Sequence, residues 1–434
     1  MTENNSEINK DELINLLGKL ISFNTVNDIP KSIKLTKECP EFIVNYLQKR
    51  GVNAQIFEDE GFYSVYGKIG EGDFHVLLMA HFDVVPVGDN WDTDPFQMTI
   101  KENMAYGRGV IDNKNNIASF MTILPMLKEI DLSDKLTICF EFSGDEEIGG
   151  VHGAGKYLEK FGRMPEAVIN ADGAGTVVIS RRRNGMGATI TIPKKVNRIK
   201  GKLQEITFTT DQWGRHTAYQ NPGADVHCML RASREVYFNN WKVVNCKGKF
   251  LKSNVVPDEI TITVISPSEE DSTQEYNYDE GLTAIFQNLV FLIRTQFPTD
   301  FSTFGITIGP NVLTEQDNLW EITLDIRAMT QDYEKVEHAL REMSDELFGE
   351  NQYQLSFKAG QGSVNTAKDS PIIKIALEQS KKFGFPAKVV EMGGASDARY
   401  FSRVGIPTFD FGPIGGGVHA RNEWVDLDSF VVTT

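Results

Sequence analysis

Cysteine is scarce. The 434-residue chain has four, at positions 39, 139, 228 and 246, and no CxxC pair. That spacing excludes a disulfide scaffold and a cysteine-rich metal knuckle; free, buried thiols in a reducing compartment are expected. Long apolar runs are also missing, so no segment approaches a membrane span. The N-terminal stretch MTENNSEINKDEL is polar and acidic, without the cationic start and apolar core of a signal peptide, and a cytoplasmic location is expected. Positive charge is in deficit, with 44 Lys and Arg against 60 Asp and Glu and a formal net charge of −16. Such a surface repels nucleic acid and anionic membranes, so neither is expected as a partner.

The rest is an ordinary globular composition, 41% hydrophobic and 24% charged, on a chain long enough for two domains. Residues 8–22 place Ile8, Leu13, Leu16, Leu17, Leu20 and Ile21 on one helical stripe, and a second helix near 41–50 ends at Gly51. Strand-like runs at 53–58, 63–68 and 75–80 precede a helix at 117–130 that contains Pro125. A buried strand at 136–143, a helix near 153–161 and a strand at 167–171 follow. This alternation implies a mostly parallel, covered sheet.

The pattern changes after about residue 185. Strands are read at 187–193, 204–210, 242–250 and 259–265, then a polar linker, SPSEEDSTQEYNYDEG, and a helix at 280–297. A strand in EITLDIRAM, a charged helix at 332–347 and a strand at 353–358 complete the region. From about 368 the α/β character returns, with a helix at 371–383, the VVEMG strand, a helix in SDARYFSRV and the PTFDFG strand. The expected fold is α/β: a catalytic domain at 1–185 and 366–434, interrupted by an inserted α+β domain at 186–365.

Candidate metal ligands end several of these apolar runs. His81 and Asp83 close HVLLMAHFDVVP; two apart on an extended chain, they share a face, so Asp83 can orient the imidazole. Asp112 lies in YGRGVIDNKNN and, taken alone, reads as a solvated turn aspartate. Glu146 and Glu147 follow LTICFEFSGD, a run too apolar to leave adjacent glutamates uncompensated; one can ligate a metal while the other handles protons. Asp172 ends the AVINAD strand, and His419 follows the glycines of GPIGGGVH. Each residue has a plain structural reading on its own. Together, crowded carboxylates with imidazoles call for cations, and this donor set suits zinc and similar first-row metals.

The segments HFDVVP, YGRGVIDNK, GDEEIGG, NADG and GGASDARYF…GPIGGGVHARNEWV, in this order, resemble the di-zinc aminoacylase and carboxypeptidase G metallopeptidase family. That family includes succinyl-diaminopimelate desuccinylase, acetylornithine deacetylase and several dipeptidases. The resemblance implies two divalent metal ions, zinc first, with cobalt and manganese as alternatives. Asp112 would bridge them, His81 and Asp172 would complete one, and Glu147 and His419 the other. Glu146 would be the general base and Asp83 the orienter of His81. The insertion would be the family's lid and dimerisation domain, making a homodimer. In it, GRHTAYQNPGADV resembles a segment whose histidine, His216 here, stabilises the oxyanion. Arg327 resembles a carboxylate-binding arginine, and Asn311 in GPNVL its associated asparagine, although Asn254 in SNVVPDE is a competing match. The implied substrate is a small N-acyl amino acid, with a dipeptide or the C-terminal residue of a peptide (dipeptidase or carboxypeptidase activity) as the alternative; a non-catalytic metal-binding relative is a third reading. Three departures stand out, the first being an insertion longer than the compact lids of the simplest deacylases. DNKNN replaces the usual glycine-containing sequence after the bridging aspartate, and the chain stops soon after VDLDSF, where relatives usually continue with a terminal helix.

Overall fold

Apolar strands that end in polar residues organise the structure. The computed structural model describes residues 8–130, 132, 135–210, 217–219, 226–268 and 274–434. The chain forms two compact units: residues 1–181, 364–390 and 396–434, and residues 182–363 with 391–395. The short 391–395 segment thus groups with the second unit, whereas the sequence pattern alone assigns all of 366–434 to the first.

The first unit is built on a mixed sheet. Its strands run in the order Ala54–Asp59, Phe62–Ile69, Leu136–Ser143, Phe74–His81, Ala167–Asn170, Thr408–Asp410, Val178–Arg182 and Val364–Asn365. Phe74–His81 is parallel to both its neighbours, and Thr408–Asp410 is parallel to Ala167–Asn170. The flanking pairs are antiparallel. The sheet is therefore parallel only at its centre, not throughout. At one edge the reason is local: Glu60 and Gly61 have φ of 51° and 81°, the geometry of a tight two-residue hairpin, which returns the chain antiparallel.

The helix Lys10–Ile21 buries Leu13, Leu16, Leu17, Leu20 and Ile21, the stripe its spacing predicts. Asn9 caps it by accepting the Glu12 N–H at 3.1 Å, an interaction worth about 1 kcal/mol. The helix packs with Lys114–Lys128, which carries Pro125 inside it. These helices and the strands share one apolar core with Phe82, Phe140 and Phe142. The four cysteines are free, three of them buried. A final helix, Leu427–Thr433, is capped by Asp426, so a terminal helix that the sequence pattern does not predict is present in short form. No described helix is long and apolar enough to cross a membrane.

A small sheet completes this unit. Thr99–Lys101, Met104–Tyr106, Trp424–Asp426 and Gly415–Gly416 lie side by side. It brings the chain around His419 next to the loop that carries Asp112.

The second unit holds two antiparallel four-stranded sheets among the described residues. One runs Lys242–Gly248, Glu259–Pro267, Val196–Thr209, Glu275–Asp279; the other Thr307–Gln316, Leu319–Ala328, Asn184–Pro193, Gln354–Lys358. Helices Cys228–Phe238, Glu280–Leu292 and Tyr333–Phe348 supply Val236, Phe286 and Val336 to a core that includes Ile190 and Leu324. Part of the expected polar linker is the strand Glu275–Asp279, paired with residues 196–200. The strand Thr307–Gln316 is hidden in the sequence because Pro310 interrupts it; the register shifts there, a bulge that accommodates the missing N–H.

Candidate metal centre

Phe74–His81 lies between two parallel partners, so its carboxyl end is where a site forms in such sheets. His81 closes it and is 2% exposed. Its Nε2 lies 3.0 Å from Asp112 Oδ1, while Nδ1 sits 3.0 Å from the Asp83 carbonyl and 3.4 Å from its Oδ1. A proton on Nδ1 donated to Asp83 leaves Nε2 free for a cation. Asp83 does more than orient His81. Its Oδ1 and Oδ2 accept the backbone N–H groups of Glu146 and Glu147, each at 3.1 Å, and so fix the acidic turn.

Asp112 follows the strand Met104–Tyr106 and is joined to Asn113 by a cis peptide bond. The unusual DNKNN sequence anchors this loop. Asn113 and Asn116 both donate to the Ala171 carbonyl, Asn113 at 2.6 Å, and Lys114 Nζ donates to the Phe23 carbonyl at 2.7 Å. The two asparagine bonds tie the Asp112 loop to the end of the strand that leads to Asp172, and the lysine ties it to the chain after the helix Lys10–Ile21. Burial pushes the Lys114 pKa down to about 8.

The Asp112 carboxylate lies between two imidazoles. Oδ1 faces His81, and Oδ2 lies 3.1 Å from His419 Nε2. His419 Nε2 is also 3.0 Å from Glu147 Oε2. His81, Asp112 and Glu147 present ligand atoms within 4.8 Å of one another. His419 adopts a left-handed backbone, φ 62°, just after Gly417 at φ 71°. Histidine is one of the few non-glycine residues enriched in that region. Asp172 is not in the 4.8 Å group; it sits past the strand Ala167–Asn170, held beside the His81 strand by the Ala171 N–H to Met79 carbonyl bond of 2.7 Å.

Two residues that the sequence pattern does not assign support the acidic turn, Arg399 beside Glu146 and Tyr400 on the Gly149 carbonyl. Arg399 Nη1 is 3.5 Å from Glu146 Oε1, and its Nη2 donates to Asp397 Oδ1 at 3.1 Å and to the Gly149 carbonyl at 2.8 Å. Tyr400 donates its hydroxyl to the same carbonyl at 2.7 Å. Gly150, at φ 67°, has to be glycine, since a Cβ there would come within 2.0 Å of Asp397 Oδ1. Their signal is present in SDARYF: charges and hydroxyls beside aromatic residues in a segment that folds inward.

Electrostatics test whether this group suits cations. Glu147 draws the His419 pKa up to about 11. Burial pulls His81 down, but its bonds to Asp112 and Asp83 outweigh this and raise it well above the ordinary imidazole value. Burial likewise opposes ionisation of Asp112, yet hydrogen bonds from His419 and His81 hold its carboxyl far below the usual range. Burial pushes Glu147 up to about 7. The surrounding carboxylates thus favour positive charge on the two imidazoles, at the positions divalent cations would take. Cations must displace the imidazole protons. Apparent metal affinity is therefore expected to rise with pH across neutrality, and uptake at pH 7 should release at least one proton. Calorimetric titration in buffers of different ionisation enthalpy measures this; proton-independent uptake would rule out binding through these imidazoles.

The remaining candidates belong to the second unit. Arg327 is gripped by Asp325, Nε to Oδ2 at 3.0 Å and Nη2 to Oδ1 at 2.9 Å. Asn311 is fully buried. Its Oδ1 lies 3.0 Å from His227 Nε2, and its Nδ2 donates to Thr217 Oγ1 and the Ser253 carbonyl. The Asn254 carbonyl accepts the Thr217 N–H at 3.0 Å. His216 lies outside the described residues.

Residues 77–434 match Peptidase family M20/M25/M40. A succinyl-diaminopimelate desuccinylase from a Nitratiruptor species is 25% identical over 415 residues, covering 95% of this chain and 94% of that protein. The fold is similar to that of an aminoacylhistidine dipeptidase from Vibrio alginolyticus, with a TM-score of 0.69 at 18% identity over 100% of this chain and 97% of that one. It is also similar to YXEP, a dinuclear metal binding peptidase of the M20 family from Bacillus subtilis, with a TM-score of 0.54 at 15% identity over 98% and 94% of the two chains. The ligand cluster and the match across most of the sequence lead to one conclusion: the chain belongs to peptidase family M20/M25/M40 and is a metal-dependent hydrolase of amide bonds.

Proposed function

We propose that the protein hydrolyses the amide bond of a small N-acyl amino acid, in the manner of a succinyl-diaminopimelate desuccinylase or acetylornithine deacetylase. The observation that carries the chemistry is the Asp112 carboxylate between two imidazoles, with Glu146 on the same turn as Glu147. The N-acyl reading is supported by end-to-end similarity to a protein named for desuccinylation.

His81, Asp112 and Asp172 would hold one divalent cation and Asp112, Glu147 and His419 the other. Zinc suits these ligands, and cobalt and manganese are alternatives. Bound there, the cations supply Lewis acidity toward a carbonyl oxygen and toward water. Glu146 takes a proton as water oxygen attacks the carbonyl carbon, then delivers it to the leaving nitrogen as the C–N bond breaks. Arg399 Nη1 lies 3.5 Å from Glu146 Oε1, beside the carboxylate that carries this proton. Arg327, held by Asp325 through Nε and Nη2, meets the substrate carboxylate with the rest of its guanidinium, and His216 stabilises the oxyanion. The inserted unit serves as lid and as the contact surface of a cytoplasmic homodimer.

A second reading, hydrolysis of dipeptides, is favoured by the likeness of fold to an aminoacylhistidine dipeptidase. Amine release from N-succinyl and N-acetyl amino acids, measured beside dipeptides on the zinc- or cobalt-loaded protein, separates the two. Turnover of the acylated compounds alone is expected, with KM raised when the substrate carboxylate is blocked as an amide. Turnover of dipeptides alone would replace the first reading by the second.

A further inference from the structure

Glu423 stands outside the ligand set, yet it is fully buried and its carboxylate is saturated with donors. Oε1 accepts the backbone N–H groups of Gly109 at 3.1 Å, Ile111 at 3.0 Å and Asp112 at 3.1 Å. Oε2 accepts Arg108 Nη1 at 2.6 Å and shares the Gly109 N–H at 3.1 Å. The Glu423 carbonyl accepts the Gly107 N–H at 3.1 Å. One side chain therefore gathers most of the loop that presents Asp112.

The same residue governs the other ligand loop. Glu423 lies four positions after His419 and directly before the strand Trp424–Asp426, which pairs with Met104–Tyr106. Arg108 extends its Nη2 to the His419 carbonyl at 3.5 Å. The Arg108–Glu423 ion pair, 1% and 0% exposed, thus locks together two loops that supply Asp112 and His419. A buried carboxylate with a guanidinium and three backbone donors is a stiff joint, since each bond constrains the others and losing the charge strands all the donors.

We propose that Glu423, paired with Arg108, is a positioning residue of the metal centre: it fixes the Asp112 and His419 loops in the relative placement that lets both ligate. This rests on the metal-hydrolase reading above. Partners that orient metal ligands typically change affinity about 10- to 100-fold when removed, and a loss of that size is expected here.

The test is zinc affinity, by competition with a chromogenic chelator, together with the visible absorption spectrum of the cobalt-loaded protein. Both are measured on wild type, Glu423→Gln and Arg108→Lys. Glu423→Gln should lose at least about tenfold in zinc affinity and shift the cobalt bands, and Arg108→Lys should lose less, because the backbone donors to Glu423 remain. Wild-type affinity and an unchanged cobalt spectrum in a folded variant, even one with a lowered Tm, would overturn the proposal by making the pair a stability element only. If Glu423→Gln does not fold, Arg108→Lys decides the matter by the same criteria. Failure of wild type itself to bind zinc or cobalt would instead overturn the metal-hydrolase reading.

Discussion

Glu146→Gln should lose roughly 10²- to 10⁴-fold in kcat, the usual contribution of a positioned proton carrier, while keeping its full metal content. Glutamine preserves shape and the backbone N–H bond from residue 146 to Asp83, so the turn that carries Glu147 stays in place. It cannot accept a proton from water at neutral pH. Stopped turnover with metal intact therefore isolates the proton-transfer role from ligation. Metal analysis of the purified variant beside steady-state rates provides the measurement. Near-normal kcat would remove Glu146 from the mechanism, and loss of metal along with activity would move it into the ligand set.

Asp112→Asn should have a different signature. Both oxygens of Asp112 are committed, one toward His81 and one toward His419. An amide offers one oxygen and one NH2 group, and it carries no charge. At least one of the two cations should be lost, and turnover should fall by more than about 10³-fold, since Lewis acidity toward the carbonyl oxygen and toward water disappears with it while Glu146 remains. Retention of both cations at wild-type affinity would refute a bridging role. The contrast between the two variants, one inert with its metal and one inert without it, is a stronger constraint than either rate alone.

Much of the site is legible in the sequence because its residues end apolar runs. His81 closes the strand Phe74–His81, and Glu146 and Glu147 come just past Leu136–Ser143. Burial of the run forces its terminal charges to find partners, and that requirement is visible without coordinates. What supports those residues is not visible there. The second duty of Asp83, the contact of Arg399 with Glu146 and the grip of Glu423 on the Asp112 loop all join positions far apart in sequence. No local pattern marks them. The fold shows the same division. The Leu13–Ile21 stripe has helical period and is legible. The strand Glu275–Asp279 is polar and tyrosine-bearing, and only pairing with residues 196–200 makes it a strand.

The place of Thr408–Asp410, between Ala167–Asn170 and Val178–Arg182, bears on how the protein is made. An interior strand of the first sheet is synthesised more than two hundred residues after its neighbours. At translation rates of about 5–20 residues per second the ribosome delivers all of 182–363 before that gap can be filled. The inserted unit, nearly continuous in sequence, has its partners at hand as it emerges, while the older half of the first unit waits with an open sheet. Hydrolytic competence is therefore acquired only after the inserted unit has emerged, because the strand that closes the sheet and the loop bearing His419 arrive together.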